Sequence, residues 1–194
     1  MTHRGDTVEA LVLDACVLIS LTLRHVFFHA AVHGLCRLHW SDRILDEATH
    51  NLIRMGHLDR AGATFLIAAV TESFPGARVT VPEAVVAMMR NDAGDRHVAA
   101  AAVVAEAPTI VTVNLRDFPP PALPPWAIEA THPDRVLLRL WGRYPAEMAI
   151  VMQDMAGDAP EGYDPWEATL YALRRVTPRF ARTLGAFRSA VPGP

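Results

Sequence analysis

The sequence contains no lysine: all 18 of its basic residues are arginine. The planar guanidinium group is well suited to binding phosphate oxygens, although a codon bias would give the same composition. The net charge is -3, which argues against a protein that binds nucleic acid through a broadly basic surface. A local basic groove remains compatible with this charge.

Cysteine is also scarce, with Cys16 and Cys36 as the two examples in 194 residues. Neither belongs to a CxxC pair, so we expect neither a disulfide framework nor a zinc site. We interpret both as reduced residues in apolar helical surroundings of a cytoplasmic protein. Long apolar runs are missing as well, because none reaches the ~20 residues of a membrane span. We therefore expect no membrane partner.

Short apolar segments alternate with segments of helical periodicity along a chain that is 51% hydrophobic and 20% charged. This composition is typical of a globular domain. The patterns predict strands at 10–13, 78–81, 109–113 and 126–130, and helices at 17–36, 41–56, 60–73, 82–91, 96–106 and from 133 onward. Such an alternation indicates an α/β fold with a parallel sheet.

Acidic and amide side chains stand where the predicted strands end. Asp14 follows the first strand, Asn114 ends the strand at 109–113, and Asp95 opens the helix that precedes it. Functional groups of parallel sheets gather beyond the carboxyl ends of the strands, and Glu47 and Asp117 add further carboxylates. Crowded carboxylates favour a hard cation such as Mg²⁺ or Mn²⁺, which suits phosphodiester hydrolysis. Alternatively, Asp14 and Asp95 cap helices and Glu47 is solvated.

Four segments of the chain resemble the acidic motifs of PIN domains. They are VLDACVL at 12–18, LDEA at 45–48, NDAGDRHVAAAA at 91–102 and IVTVNLRDFP at 110–119. The resemblance covers residues 8–131, and the last two segments are the most distinctive. The chain is similar in particular to VapC-type toxins that carry a helical C-terminal extension.

The resemblance implies a three-layer α/β/α sandwich with a four-stranded parallel sheet over residues 8–131, followed by a helical extension over 132–191. It implies a Mg²⁺- or Mn²⁺-dependent endoribonuclease that acts on RNA, the toxin of a type II toxin–antitoxin system with a cognate antitoxin protein as partner. A homodimer is left open. The implied catalytic residues are Asp14, Glu47 and Asp95, which also bind the metal together with Asn114 and Asp117.

Two positions depart from the common PIN pattern. Ala15 stands where many members have Thr, Ser or Asn, and Asn114 stands where many have aspartate. Asp117 is the candidate for the missing carboxylate, unless it caps a turn or pairs with Arg116. These departures keep an alternative open, a catalytically inactive PIN-like module for binding or scaffolding. A 5′-nuclease is a weaker alternative, because the chain is short and lacks a basic DNA-tracking region.

Several basic residues are secondary candidates. Arg96, His97 and Arg116 flank the acidic residues and are predicted to bind substrate, against the alternative of ion pairs and helix packing. His25, His29 and His33 have metal-ligand spacing, although a buried or partner-facing stripe is the favoured interpretation. A C-terminal cluster consists of Arg174, Arg175, Arg179 and Arg182. It could bind RNA or an acidic partner, or form a solvated helix face.

Overall fold

The computed structural model describes residues 8–157 and 164–190. The chain divides into two compact units, Met1–Ile19 with Cys36–Thr131 and Ser20–Leu35 with His132–Pro194. The predicted domains at 8–131 and 132–191 stay a prediction, and residues 158–163 and 191 of the second lie outside the described residues. Within the described ranges, no helix is both long enough and apolar enough to cross a membrane.

The first unit is built on a four-stranded sheet in which all strands are parallel. The strands are β1 (Glu9–Leu13), β2 (Cys36–His39), β3 (Thr109–Val111) and β4 (Glu129–Thr131), in the order β2-β1-β3-β4. In β1, Ala10 to Leu13 are all buried, as expected for an inner strand of a parallel sheet. The predicted α/β fold with a four-stranded parallel sheet is confirmed.

Helices flank the sheet and continue to the C-terminal part of the chain. The first unit contains α1 (Ala15–Ile19), α3 (Asp42–Arg54), α4 (Arg60–Ser73), α5 (Glu83–Met88) and α6 (Arg96–Val104). The second contains α2 (Leu21–Val32), α7 (Pro133–Arg143), α8 (Pro145–Gly157), α9 (Pro165–Val176) and α10 (Pro178–Ala190). In α6, the run of small side chains at Ala99–Ala102 is fully buried, so this helix packs closely along its length.

The prediction of one helix over 17–36 is wrong, because the segment contains two helices and a strand. Ser20 is extended and its hydroxyl accepts a hydrogen bond from Leu23 N at 3.4 Å, which starts α2 anew after α1. Gly34 has a φ of +72°, a left-handed conformation that favours glycine, and it ends the helical stretch. Cys36 therefore lies in β2, not in a helix.

The predicted strand at 78–81 is also wrong. In this segment, which is described throughout, β-structure is limited to one bridge between Trp40 and Arg78. Val79 N donates to Trp40 O at 2.9 Å, and Trp40 N donates to Ala77 O at 3.0 Å. Pro82 follows and lacks the N–H that a longer ladder would need. The strand that the sequence analysis missed is β2. Its four residues follow the apolar helix α2 closely along the chain and show only a short alternation of burial.

A buried carboxylate ties two helices of the second unit together. Asp134, in the first turn of α7, accepts hydrogen bonds from Phe180 N at 2.8 Å and Arg179 N at 3.2 Å. These are N–H groups of the first turn of α10, which have no partner within the helix. The carboxylate satisfies them and complements the positive end of the helix dipole.

Candidate functional site

Asp14 is a carboxylate buried at the carboxyl end of β1, with an exposure of 2%. Its N–H donates to Val111 O at 3.1 Å, which continues the β1–β3 pairing, and its carbonyl accepts from Val17 N at 2.9 Å to begin α1. The side chain points elsewhere: Oδ2 accepts from Thr112 Oγ1 at 2.6 Å and from Cys16 Sγ at 3.1 Å. The Asp14 carboxylate is therefore buried and fixed in place by two hydrogen bonds.

Thr112 and Cys16 were missed by the sequence analysis, and both orient Asp14. Thr112 follows β3, is fully buried, and also accepts a hydrogen bond from Asn114 N at 3.0 Å. Burial and the charge of Asp14 raise the pKa of Cys16 to about 12, so the thiol keeps its proton and donates it to the carboxylate. Thr112 thus supplies a hydroxyl group to Asp14 from the end of another strand, 98 residues along the chain from Asp14.

Asp95 stands immediately before α6 with its carboxylate uncommitted. Asp95 is the N-cap residue of α6, and its carbonyl accepts from Val98 N and Ala99 N, but its carboxylate makes no capping hydrogen bond to the described N–H groups of this helix. Burial raises its pKa to about 6, together with the charges of Asp14, Asp117, Glu47 and Asp92. Because a negative charge acts in this way only at short range, these carboxylates share one region of the structure.

Glu47 lies on α3 and faces the same region. Burial and the charge of Asp14 raise its pKa, while Arg43, one turn earlier, lowers it. His97 Nε2 lies 3.3 Å from Glu47 Oε2 without a hydrogen bond to any described residue. His97 Nδ1 lies 2.9 Å from Gly94 O and must carry the proton there, because a carbonyl only accepts.

His97 is 3% exposed, and burial and Arg43 lower its pKa. It therefore offers little surface to a substrate. Its Nδ1–H donates to Gly94 O, which ties the ring to the residue before Asp95, and its Nε2 makes no hydrogen bond to Glu47. Its predicted role in substrate binding stays a prediction.

The end of β3 contributes Asn114 and Asp117 on a short 3-10 turn, Leu115–Asp117. Asn114 is exposed and its carbonyl accepts from Asp117 N at 3.1 Å. The carboxylate of Asp117 lies 3.5 Å from Arg116 Nε and also raises the pKa of Asp95. Asp117 therefore combines both alternatives of the sequence analysis, a pairing with Arg116 and a place in the acidic region.

The arginines around the site differ in their exposure and in the contacts that hold them. Arg96 Nε reaches Asn91 O at 3.4 Å and so supports the loop before α6. Arg116 is 87% exposed. Arg43 is exposed as well, and its charge acts on both Glu47 and His97. The sequence analysis missed Arg43, although its position four residues before Glu47 on one helix face is a usable signal.

The donor set fits a hard divalent cation in its chemistry. Carboxylate oxygens are the ligands that such cations prefer. Burial, and after it repulsion from neighbouring carboxylates, raises the pKa of Asp95 and of Glu47, and a positive charge relieves this repulsion. The side chains are not arranged as a closed ligand shell. Among the described residues, no group of three or more His, Cys, Asp or Glu side chains is placed to hold an ion. The site therefore matches a divalent cation in charge and in the type of donor atom, but not in a completed ligand geometry.

The histidine stripe of α2 lies in the second unit. The rings of His25 and His29 form an edge-to-face contact with centroids 6.1 Å apart, and His33 Nε2 lies 2.6 Å from Asp154 Oδ2 on α8. None of the three histidines is buried, and His33 is exposed, so the stripe is not part of the core. A partner-facing stripe stays a prediction.

The parallel sheet and the carboxylates beyond its edge define an α/β domain with an acidic site. The family description "PIN domain" matches residues 10–116, just over half of the chain. The chain belongs to the PIN-domain family, and the resemblance stated above is confirmed. It is 43% identical over 99 residues to "Putative ribonuclease VapC50" of Mycobacterium tuberculosis, an alignment that covers 50% of this chain and 57% of that protein. The chain thus spans little more than half of the relative's length. No solved structure matches.

We predict that the Thr112 hydroxyl and the Asp14 carboxylate are energetically coupled. A double-mutant cycle of Thr112→Val and Asp14→Asn, followed by urea unfolding, should give a coupling free energy of about 1.5 kcal/mol, because the bond joins a neutral donor to a buried charge. Additivity of the two changes within about 0.4 kcal/mol would contradict the interaction.

We predict that Asp95→Asn stabilises the cation-free protein at neutral pH. The folded-state pKa of about 6 exceeds the ordinary 3.8, so stability falls as the pH rises through this window. The variant should gain on the order of 1 kcal/mol at pH 7.5, after allowance for solvent screening, and nothing at pH 3. The measurement is thermal unfolding in the presence of a chelator.

The matched control for this change is Asp46→Asn, which removes an exposed carboxylate from α3. An equal gain of the control at neutral pH would assign the effect to net charge and not to the acidic site.

Proposed function

We propose that the chain is a Mg²⁺- or Mn²⁺-dependent endoribonuclease and the toxin of a type II toxin–antitoxin system. The observation that carries the proposal is that the charge of Asp14, buried at the carboxyl end of β1, contributes to the raised pKa of both Asp95 and Glu47. Membership of the PIN-domain family supports it, as does the similarity to a relative whose name describes a ribonuclease.

Asp14, Glu47 and Asp95 are the residues that would hold the cation, with Asp117 and the amide oxygen of Asn114 at the margin. When bound, the cation supplies charge stabilisation to phosphate oxygens and lowers the pKa of water. The protein has to hold these carboxylate oxygens close together and ionised, although their negative charges repel one another.

The surrounding residues have separate tasks in this proposal. Thr112 and Cys16 fix the Asp14 carboxylate, which reduces the reorganisation required when substrate binds. His97 is anchored on Gly94 O and lies beside Glu47. Arg96 is committed to the loop before α6. Arg43 and Arg116 are exposed, and a guanidinium group is well suited to the phosphate oxygens of RNA.

A non-catalytic PIN-like module is the second candidate, and it is favoured by Ala15 and Asn114. The Ala15 argument is weakened by Thr112, whose hydroxyl bonds to Asp14 at 2.6 Å. The Asn114 argument is weakened by Asp117, whose charge already acts on Asp95. Both observations leave a site with enough carboxylates for catalysis.

We predict that purified protein cuts RNA in Mg²⁺ or Mn²⁺ and stops in EDTA. Asp14→Asn and Asp95→Asn should each lower the cleavage rate by more than about 100-fold, since each removes a charged ligand, and Asp117→Asn by about tenfold. The measurement is the time course of cleavage of an RNA pool, with mapping of the new ends.

Asp46→Asn is the charge-matched control and should cut at the wild-type rate. Folded Asp14→Asn protein that cuts as fast as wild type would remove these residues from catalysis. Wild-type protein that binds RNA but never cuts it would favour the non-catalytic module.

The toxin role makes a separate prediction about cells. Overproduction of the chain alone should slow growth of a bacterial host, because uncontrolled RNA cleavage stops translation, and Asp14→Asn should remove the effect. Growth curves with immunoblots for equal protein levels measure this. Equal growth with wild type and variant would reject the toxin role and leave the nuclease proposal in place.

A further inference from the structure

The α9–α10 pair is the basic part of an acidic protein. The two helices carry five arginines, at positions 174, 175, 179, 182 and 188, against one acidic residue, Glu167. The whole chain has a net charge of -3. Such a local excess of positive charge concentrates polyanions near the surface.

The guanidinium groups on this surface are largely uncommitted. Arg174, Arg175, Arg179 and Arg182 are exposed, and within the described ranges none of them forms an ion pair. Arg188 is held more firmly, with its guanidinium carbon 5.3 Å from the centre of the Trp166 ring and a nitrogen 3.9 Å from Asp164 Oδ2. The patch therefore consists of several free cations and one that is anchored.

An exposed aromatic ring stands among these arginines. Tyr171 on α9 is 63% exposed, and Arg174 and Arg175 follow it by three and four residues, which places all three on one face of the helix. Phe187 on α10 is more covered, since its ring packs edge-to-face on Trp141 at 5.1 Å. Tyr171 thus offers a free ring face beside two guanidinium groups.

A groove of about 520 Å³ lies between the same helices. Its walls are Glu167, Leu170 and Arg174 of α9 and Gly185 and Arg188 of α10. Each wall contributes one guanidinium group, and Leu170 adds an apolar surface. Glu167 is the one acidic side chain in the lining, and its negative charge repels an anion at that end of the groove.

We propose that Tyr171, Arg174, Arg175 and Arg188, which we name the basic face, bind single-stranded RNA. The arginines bind backbone phosphates, and an unstacked base lies on the Tyr171 ring, the combination that proteins use for single strands. An acidic protein partner is the rival occupant, since exposed arginine and tyrosine side chains also suit protein interfaces, and the variants tested below distinguish the two. The choice of RNA over other single strands rests on the ribonuclease function proposed above.

Binding of a labelled single-stranded RNA of about 12 nucleotides to full-length protein tests the basic face, with fluorescence anisotropy as the readout. Asp95→Asn serves as the background and EDTA is present, so the RNA stays intact and the result does not depend on activity. Arg174→Gln with Arg175→Gln should weaken binding about tenfold and reduce the slope of log K against log salt by about 1.4, or 0.7 for each lost phosphate contact.

Tyr171→Ala should weaken binding about fivefold or more, and Tyr171→Phe should retain the parent affinity because stacking needs only the ring. The matched control is Arg37→Gln with Arg60→Gln, two exposed arginines elsewhere, which should bind as the parent does. Circular dichroism verifies that each variant is folded.

Parent-like affinity and salt slope in the Arg174/Arg175 double variant would overturn the inference in favour of a protein partner or a solvated face. An equal loss in the Arg37/Arg60 control would overturn it in favour of net charge alone. Binding that depends on the basic face, in a protein that never cuts RNA, would support the inference while rejecting the proposed nuclease function.

Discussion

The burial of one negative charge at the end of β1 organises the first unit of the molecule. A carboxylate at 2% exposure has given up most of its hydration, and the cost is bearable only if protein donors replace the water. Thr112, which the β1–β3 pairing brings to Asp14, and the protonated Cys16, two residues after Asp14, are those donors. The buried charge therefore requires the β1–β3 pairing and a neutral thiol, and it contributes to the raised pKa of Glu47 and of Asp95.

The sequence predicted the architecture better than it predicted the individual strands. β1 and β3 follow the apolar or β-branched patterns, whereas the strand predicted at 126–130 overlaps β4 (Glu129–Thr131) at two residues. The parallel arrangement could be inferred from the alternation with helices. β2 escaped because Cys36–His39 has two outward polar residues and follows directly on a strongly apolar helix. The β-branched segment 78–81 was predicted in its place because propensity does not reveal whether a strand has a partner. The break at Ser20 required its cap geometry to be known.

The acidic residues could be predicted because they directly follow predicted strands or directly precede predicted helices in the sequence. Asp14 and Asp95 were predicted in this way, and Glu47 as a further carboxylate near the start of a predicted helix; the resemblance implies the same set. The residues that fix these carboxylates or act on their charge could not be predicted from the order of the chain. Thr112 reaches Asp14 across 98 residues, and threonine after a strand is too common to signal a hydrogen bond. Arg43 acts on Glu47 within α3, whereas its effect on His97 needs the packing of α3 against α6.

The two cysteines lead to a practical consequence. Both are described, neither is in a disulfide, and burial raises the pKa of each to about 12. Since the thiolate is the species that alkylating and oxidising reagents attack, the folded chain resists them at neutral pH. Modification by maleimide or iodoacetamide then measures how often the two strand ends open. A cysteine introduced on the surface would accept a spectroscopic label without competition from the native pair.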